Sequence, residues 1–227
     1  MRRSSVGVNG TTANEPSRKE MSEQRRQRMR LEISREAARL FWEQGVAATT
    51  GEQIADAVSI SVRTLWRYFR NKESCVEPVL TQDAEEFVTV LRRWPRELSL
   101  EEHLTAWATE RPKDPVTQTY DQAVIRMAVL ADTEPAVRSA WLMAHDHLER
   151  EFVKVIADRL RRPTDDLEVR MHAAAANSVL RVISEDISAA LMTGADSAAI
   201  RDGKPLERMA HAVRVSTGGV LGDPVEP

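Results

Sequence analysis

The segment from residue 59 to residue 72, SISVRTLWRYFRNK, concentrates side chains that can bind nucleic acid. It contains no acidic residue, and it offers guanidinium groups, hydroxyls, aromatic rings and an ammonium group. Guanidinium groups can read base edges in the major groove, whereas hydroxyl and ammonium groups can contact phosphates. The chemistry that this segment favours is therefore binding to DNA.

Two short helices joined by a tight turn would position these side chains. Thr50 and Gln53 form a capping-box pattern, which predicts that the first helix begins near Gly51. After a break at residues 59–60, Ser61 is a suitable N-cap for the second helix. The apolar positions that the second helix is expected to bury are Val62, Leu65 and Phe69.

This pattern is typical of a helix-turn-helix, whose second helix enters the major groove with its N-terminal residues. We therefore expect Arg63 and Thr64 to read base edges. The residues expected to hold phosphates are Thr50, Ser61, Tyr68 and Lys72. The complete set predicted to contact DNA is Thr50, Ser61, Val62, Arg63, Thr64, Trp66, Arg67, Tyr68 and Lys72. The alternative interpretation is a solvated, mildly basic helix pair inside an all-helical domain.

The residues around this pair resemble the N-terminal domain of bacterial TetR-family transcriptional regulators. The resemblance extends from Arg25 to Val76. The features that carry it are a helix ending at Gly45, the pairs Thr49-Thr50 and Ile54-Ala55, and the run SISVRTLWRYFRNKE, in which Tyr68-Phe69 followed by Asn71-Lys72-Glu73 is most specific. Two positions depart from the family pattern, since Ser59 stands where glycine is usual and Gly51 where a larger apolar residue is usual. Ser59 needs no glycine-only backbone if the turn keeps a negative φ.

The charge of the chain is divided unevenly along its length. Residues 1–72 carry a net charge of +6 and residues 73–227 a net charge of −9, which together give −3. A basic N-terminal end can approach phosphates while the acidic remainder is weakly repelled. We therefore expect any affinity for DNA to fall steeply with salt.

Composition and motifs argue against several other classes of protein. The sequence has no apolar run of about 18 residues and no signal-peptide pattern, so we expect a cytoplasmic protein that does not interact with membranes. The single cysteine, Cys75, excludes an intramolecular disulfide and is expected to be a small core residue, with a redox sensor as the alternative. Catalytic motifs are absent and the acids are expected on solvent faces, so we predict neither an enzyme nor a cofactor.

Helical periodicity and proline or glycine breaks predict an all-α fold with an N-terminal three-helix helix-turn-helix domain and a larger C-terminal helical domain. The predicted divisions are a disordered basic tail at 1–24, the DNA-binding domain at 25–71, a ligand-binding and dimerisation domain at 72–215, and a flexible tail at 216–227. Predicted helices cover Glu23–Gln44, two turns from Gly51, a helix after Ser61, a helix from Lys72 or Glu73 to about Arg92, and then Leu100–Glu110, Val116–Leu130, Pro135–Arg161, Asp165–Met192 and Pro205–Val215.

The last two of these helices carry small and apolar residues that would suit a helix–helix interface. The resemblance implies that they form a four-helix interface between two subunits of a homodimer. The residues predicted there are Met171, Ala174, Ala175, Ser178, Val182, Leu206, Met209, Ala210 and Val213. The alternative is that these residues only close the core of one subunit.

The resemblance also implies that the C-terminal helices enclose a pocket for a small-molecule effector. Predicted wall residues are Trp107, Tyr120, Met127, Trp141, Met143, Asn177 and Arg181, although each could instead be a core or surface residue. Arg126 or Arg181 could neutralise an anionic ligand or pair with a nearby acid such as Glu185. No metal site is expected from His145, His147 and His172, because residues two apart on a helix face apart.

The predicted function is therefore a ligand-responsive regulator of transcription that binds a near-palindromic double-stranded DNA operator as a homodimer. Repression, with release of the operator when an effector binds, is what the family resemblance implies. The alternative is a helical small-molecule-binding or scaffold protein without sequence-specific DNA binding.

Overall fold

A computed structural model describes residues 18–111, 114–193 and 205–225 of the chain. Within these ranges the secondary structure is helical, without strands, which confirms the predicted all-α class. The helices are α1 (Arg18–Gln44), α2 (Gly51–Ala57), α3 (Val62–Tyr68), α4 (Glu77–Arg92), α5 (Leu100–Glu110), α6 (Pro115–Leu130), α7 (Pro135–Leu160), α8 (Leu167–Thr193) and α9 (Pro205–Ser216), with a 3-10 turn at Glu73–Val76 before α4.

The first three helices share a small apolar core. Ile33 and Phe41 of α1 are fully buried together with Ile54 of α2 and Leu65 of α3. Burying each of these side chains contributes about 1.5–3 kcal/mol, so the core is sufficient to hold two helices of seven residues each against α1. We call this unit, α1 to α3, the head.

The first helix differs from its prediction at one end. It begins at Arg18 rather than near Glu23, so residues 18–24 of the predicted disordered tail are helical, while residues 1–17 lie outside the described ranges. At its other end the helix stops where predicted, because Gly45 adopts φ 87° and donates its amide to the carbonyl of Phe41.

The junction between the head and the remaining helices is buried. The amide of Val79, in the first turn of α4, donates to the Ser34 hydroxyl of α1 at 3.0 Å. Cys75 is buried in the 3-10 turn, and its pKa is raised to about 12 by burial and by the charges of nearby Glu73 and Glu77. A thiol in this environment stays protonated, which fits a core residue rather than a redox sensor.

Helices α4 to α9 form the second unit, which we call the body. Its contacts centre on α7 and α8, with α4, α6 and α9 packed around them. Phe152 and Ile156 of α7 and Val169 and Ala173 of α8 are among the buried residues. None of the helices in the described ranges is long and apolar enough to cross a membrane.

The segment after α9 is packed, in contrast to the predicted flexible tail at 216–227. Thr217 and Leu221 are buried, and the Thr217 hydroxyl accepts from the Leu221 amide at 3.0 Å. The carbonyl of Gly222 accepts from the amide of Leu100, which ties the segment to the start of α5. Burial of Leu221 and these hydrogen bonds explain why residues 217–225 are ordered against the body, whereas residues 226–227 lie outside the described ranges.

Candidate nucleic-acid interface and effector cavity

Local capping interactions fix the start of α2. The Thr50 hydroxyl accepts from the Gln53 amide at 3.3 Å, and the Gln53 side chain accepts from the Thr50 amide at 2.8 Å. Gln44, at the end of α1, donates to the same Gln53 oxygen at 2.8 Å. The Thr50 hydroxyl lies at the exposed N-terminus of α2, a position that favours anions.

The turn between α2 and α3 contains a left-handed residue. Ser59 has φ 55°, so the condition under which serine would fit without strain, a negative φ, is not met. The Ser59 amide donates to the carbonyl of Asp56, and the Ile60 amide donates to that of Ala55, each at 3.0 Å. These two hydrogen bonds close the turn and hold serine in a conformation that costs about 1–2 kcal/mol relative to glycine.

Helix α3 buries one side and exposes the other. Leu65 is fully buried and Phe69 nearly so, while Arg63 and Arg67 are exposed on the opposite side, one turn apart. No acidic residue occurs between Asp56 and Glu73, so no carboxylate of the segment opposes an approaching phosphate. This outward face is the most basic part of the two short helices.

The N-terminus of α3 carries a pair of linked hydroxyls. Ser61 is the N-cap and accepts from the Thr64 amide at 3.1 Å, and the two hydroxyls lie 2.9 Å apart. If Thr64 donates to Ser61, the Ser61 proton remains free for a phosphate, and Thr64 still presents its methyl group. The predicted base reader Thr64 is therefore partly committed to the cap, which leaves Arg63 as the unencumbered donor of the pair.

Trp66 lies on the first residue of α2. A Cβ atom added to Gly51 would lie 2.3 Å from Cζ2 of the indole, and Trp66 nevertheless remains 43% exposed. The glycine at position 51, which departs from the family pattern, thus makes room for the large side chain at position 66. The indole fixes the two helices against each other and presents its remaining surface beside the outward face of α3.

The other end of α3 is attached to α1. Arg30 donates to the carbonyl of Tyr68 at 3.2 Å, and its guanidinium lies 4.9 Å from the ring centroid of Phe69. The Arg67 guanidinium lies 5.6 Å from the ring centroid of Tyr68. Val62, also predicted to meet DNA, is partly buried against the core.

Lys72 has a different position from the one predicted. Its Nζ donates to the carbonyls of Val46, Ala47 and Thr49 at 2.6, 3.3 and 2.8 Å. These contacts use all three ammonium protons, so in this conformation none remains for a phosphate. We therefore replace the predicted phosphate anchor by a positioning role, in which Lys72 holds the loop that leads to the Thr50 cap.

A separate cavity of about 190 Å³ lies in the body, among α4, α7, α8 and α9 and next to the C-terminus of α5. Of the residues predicted to line an effector pocket, Trp107 and Trp141 line this cavity. Residues that the sequence analysis did not place in a pocket complete much of the wall, and they include Asp83, Glu86, Phe87, Arg111, Asp121 and His145. The expectation that acids occupy solvent faces therefore fails for Asp83, which lies between Leu80 and Phe87 on the apolar side of α4.

The remaining predicted pocket residues do not line this cavity. Tyr120 and Met127 are buried in the core, where the Tyr120 hydroxyl donates to the carbonyl of Val79 at 3.2 Å, and Met143 is 64% exposed on α7. Asn177 is buried and lies 3.0 Å from the ring nitrogen Nδ1 of His145.

The two arginines considered as partners of an anionic ligand are also engaged elsewhere. Arg181 pairs with Glu185 at 3.1 Å, as the alternative interpretation had it. The Arg126 guanidinium lies 6.0 Å from the ring centroid of Trp42. Neither side chain lines the cavity, so neither offers a direct contact to a ligand there.

The residues predicted at a dimer interface fall into two groups. Met171 and Val182 are 63% and 55% exposed, Ser178 is exposed, and Ala174 and Ala175 are partly buried. By contrast, Ala210 and Val213 are buried inside the subunit, and Leu206 and Met209 line the cavity. The α9 part of the predicted interface thus packs against the subunit's own core, while Leu167 of α8 and Val215 of α9 are additional exposed apolar residues.

Comparison with known proteins agrees with the geometry of the head. Residues 33–79 match the model of the family described as "Bacterial regulatory proteins, tetR family". The chain is 29% identical over 181 residues to the HTH-type transcriptional regulator TcmR of Streptomyces glaucescens, covering 78% of this chain and 80% of TcmR. The family match lies on the segment that carries α2 and α3, and the similarity to TcmR extends through most of the body.

Two solved structures share the fold. GusR of Salmonella enterica superposes with a TM-score of 0.52 at 19% identity, over 86% of this chain and 95% of GusR. A proposed TetR-family regulator from Mesorhizobium loti MAFF303099 gives a TM-score of 0.51 at 20% identity, over 86% of this chain and 97% of that one. The relatives of this chain are regulators of transcription and not enzymes. Residues 33–79 thus carry a tetR-family DNA-binding domain of helix-turn-helix form, and the chain as a whole is similar to the transcriptional regulator TcmR.

Proposed function

We propose that this protein is a repressor that binds a near-palindromic operator as a homodimer and releases it when a small molecule enters the body. The observation that carries the proposal is the outward face of α3, where Arg63 and Arg67 are exposed beside the Ser61 cap. Guanidinium groups at this position suit bidentate contacts to guanine and contacts to phosphate. We assign base reading to Arg63, with Thr64 as a methyl contact, and phosphate binding to Thr50, Ser61, Arg67 and Tyr68.

Dimerisation follows from how little DNA one head can read. A single recognition helix contacts few base pairs, whereas two heads about 34–36 Å apart read two half-sites. The exposed residues Met171, Ser178 and Val182 fall on one face of α8, and Leu167 continues that face toward the N-terminus. This apolar face, rather than the buried residues of α9, supports the proposed contact between two subunits.

The position of α4 supports a link between effector and operator. At its first turn α4 is tied to the head through the Val79 amide and the Ser34 hydroxyl, and one turn later Asp83 lines the cavity. A ligand that displaces the middle of α4 therefore acts on the same rigid element that contacts α1. Such a displacement would change the separation of the two heads and so favour release from DNA.

Selection of bound fragments from random and genomic DNA by the purified full-length protein tests this function. We expect an inverted repeat whose half-sites are one helical turn apart, and a binding constant that falls steeply with salt. Substitution Arg170→Ala is a suitable control, because it removes an exposed guanidinium from α8, outside the head. Negligible affinity for every duplex at low salt would favour the alternative, a small-molecule-binding protein without sequence-specific DNA binding.

The oligomeric state has its own test, sedimentation of the free protein and of Val182→Glu. We expect the wild type to sediment as a dimer and the variant, which places a charge on the apolar face of α8, to sediment as a monomer.

A role at the chromosome also implies a cytoplasmic location.

A further inference from the structure

The cavity in the body has an unusual balance of charge. Three carboxylates line it, those of Asp83, Glu86 and Asp121, against one guanidinium, that of Arg111. The guanidinium is already neutralised, since Arg111 donates to Asp121 at 2.7 and 2.8 Å and to Glu86 at 3.1 Å. The network therefore leaves Asp83 as an acid without a positive partner of its own.

The carboxylate of Asp83 has no hydrogen-bond partner among the residues that the structure describes. It lies on α4 one turn from Leu80 and Phe87, on the side that faces the cavity. Burial and the charge of Glu86 raise the pKa of Asp83 to about 7, although Arg111 acts in the opposite direction. A partly buried acid in this position lacks a donor, ideally a charged one.

The rest of the wall offers apolar and aromatic surface. Phe87, Trp107 and Trp141 line the cavity, and aromatic faces attract cations as well as apolar groups. His145 adds no positive charge, because burial lowers its pKa while the hydrogen bond to Asn177 only partly offsets this.

We propose that the cavity binds a compact amine, with its protonated nitrogen against the Asp83 carboxylate and its apolar body among Phe87, Trp107 and Trp141. This inference rests on the proposed function, since it names the chemical class of the effector. An anionic ligand would face two carboxylate charges in excess of the single guanidinium, which is already paired with Asp121 and Glu86, so it is disfavoured at this site. A neutral ligand would leave Asp83 without a counter-charge.

Isothermal titration of the full-length protein with three probes, in the absence of DNA and at pH 8, tests the amine class. The probes share one ring system and differ in charge: 1-naphthylmethylamine, 1-naphthylmethanol and 1-naphthoate. We expect the amine to bind at least about tenfold more tightly than the alcohol, and the carboxylate to bind most weakly.

Substitution Asp83→Asn assigns the preference to one residue. It should weaken amine binding by about tenfold or more and change alcohol binding by less than about threefold, because the shape of the side chain is kept. Glu85→Gln is the matched control, since it removes a carboxylate from the exposed side of α4 and should leave all three affinities unchanged.

Equal affinities for amine and alcohol, a preference for naphthoate, or a preference for the amine that survives Asp83→Asn would overturn the inference. Absence of binding by all three probes up to about 1 mM would overturn it as well. None of these results bears on whether the protein selects an operator, so the ligand class and the proposed function fail separately.

Discussion

The indole of Trp66 occupies the space that a side chain at Gly51 would need, with Cζ2 only 2.3 Å from the position of a Cβ atom. One large residue and one absent side chain together set the distance between α2 and α3. The large side chain at position 66 fills the space left by the missing side chain at position 51, so the effects of substitutions at the two positions should be coupled.

Substitution Gly51→Ala should therefore change the free energy of unfolding in opposite directions in two backgrounds. In the wild type it should destabilise the protein by about 1–3 kcal/mol, because the indole must move. In the Trp66→Ala background it should stabilise the protein by up to about 1 kcal/mol, because alanine is the better helix former. Urea denaturation of the four proteins measures the cycle, and additive effects would contradict the packing described for this pair.

Replacing Ser59 by glycine should stabilise the protein by about 1 kcal/mol, because φ 55° is unfavourable for a residue with a Cβ atom. Ser59→Ala is the control, since alanine keeps the Cβ atom and should not relieve the strain of the positive φ. The stabilities of the three proteins are compared through their denaturation midpoints, provided that their m-values are equal. A gain of the same size for both variants would show that the turn is not left-handed at this residue.

Lys72→Met should lower stability by about 1–2 kcal/mol, because three backbone carbonyls lose their donor. It should leave the salt dependence of DNA binding nearly unchanged, since no phosphate contact is lost. Arg67→Ala, which removes an exposed guanidinium, should flatten the slope of log K against log salt by about 0.9 per head. The positioning role of Lys72 would be refuted if Lys72→Met flattened the salt slope as much as Arg67→Ala does and had the same stability as the wild type.

The stability of the protein should depend on pH through Asp83. Its folded-state pKa of about 7 lies above the value of 3.8 for an unperturbed aspartate, so stability present at pH 4 is lost as the pH rises through 7. Burial is the main cause, with Glu86 and Asp121 acting in the same direction and Arg111 against them. Asp83→Asn should remove this loss. The free energy of unfolding of the variant, relative to that of the wild type, should therefore rise by about 1–3 kcal/mol between pH 4 and pH 8.

Urea denaturation across this pH range measures the effect, with Asp132→Asn as the control, because Asp132 is an exposed loop residue. A constant difference between Asp83→Asn and the wild type at all pH values would mean that Asp83 ionises in the folded protein as it does in water.

Local signals in the sequence were enough to predict most of the helices. Ser99 caps α5 through the Glu102 amide, Pro135 lies in the first turn of α7, and Gly45 ends α1, each through interactions between residues close in sequence. The same is true of the Thr50 and Ser61 caps, which is why the order and limits of the head helices could be predicted.

Features that depend on the approach of distant segments could not be predicted in this way. The ammonium of Lys72 reaches carbonyls more than 20 residues away along the chain, and the cavity brings Asp83 together with Arg111, which follows α5, and with Asp121 of α6. One signal was available, because Asp83 interrupts the apolar side of α4 between Leu80 and Phe87. An acid at such a position indicates either a partner or a ligand.

The affinities of the wild type and of Arg63→Ala for a selected operator and for a scrambled duplex, at one salt concentration, test the central claim that the outward face of α3 reads DNA. We predict that the variant loses about 1–3 kcal/mol per head on the operator and much less on the scrambled duplex. Equal losses on both duplexes, or no loss on either, would contradict the assignment of Arg63 as the residue that reads the bases.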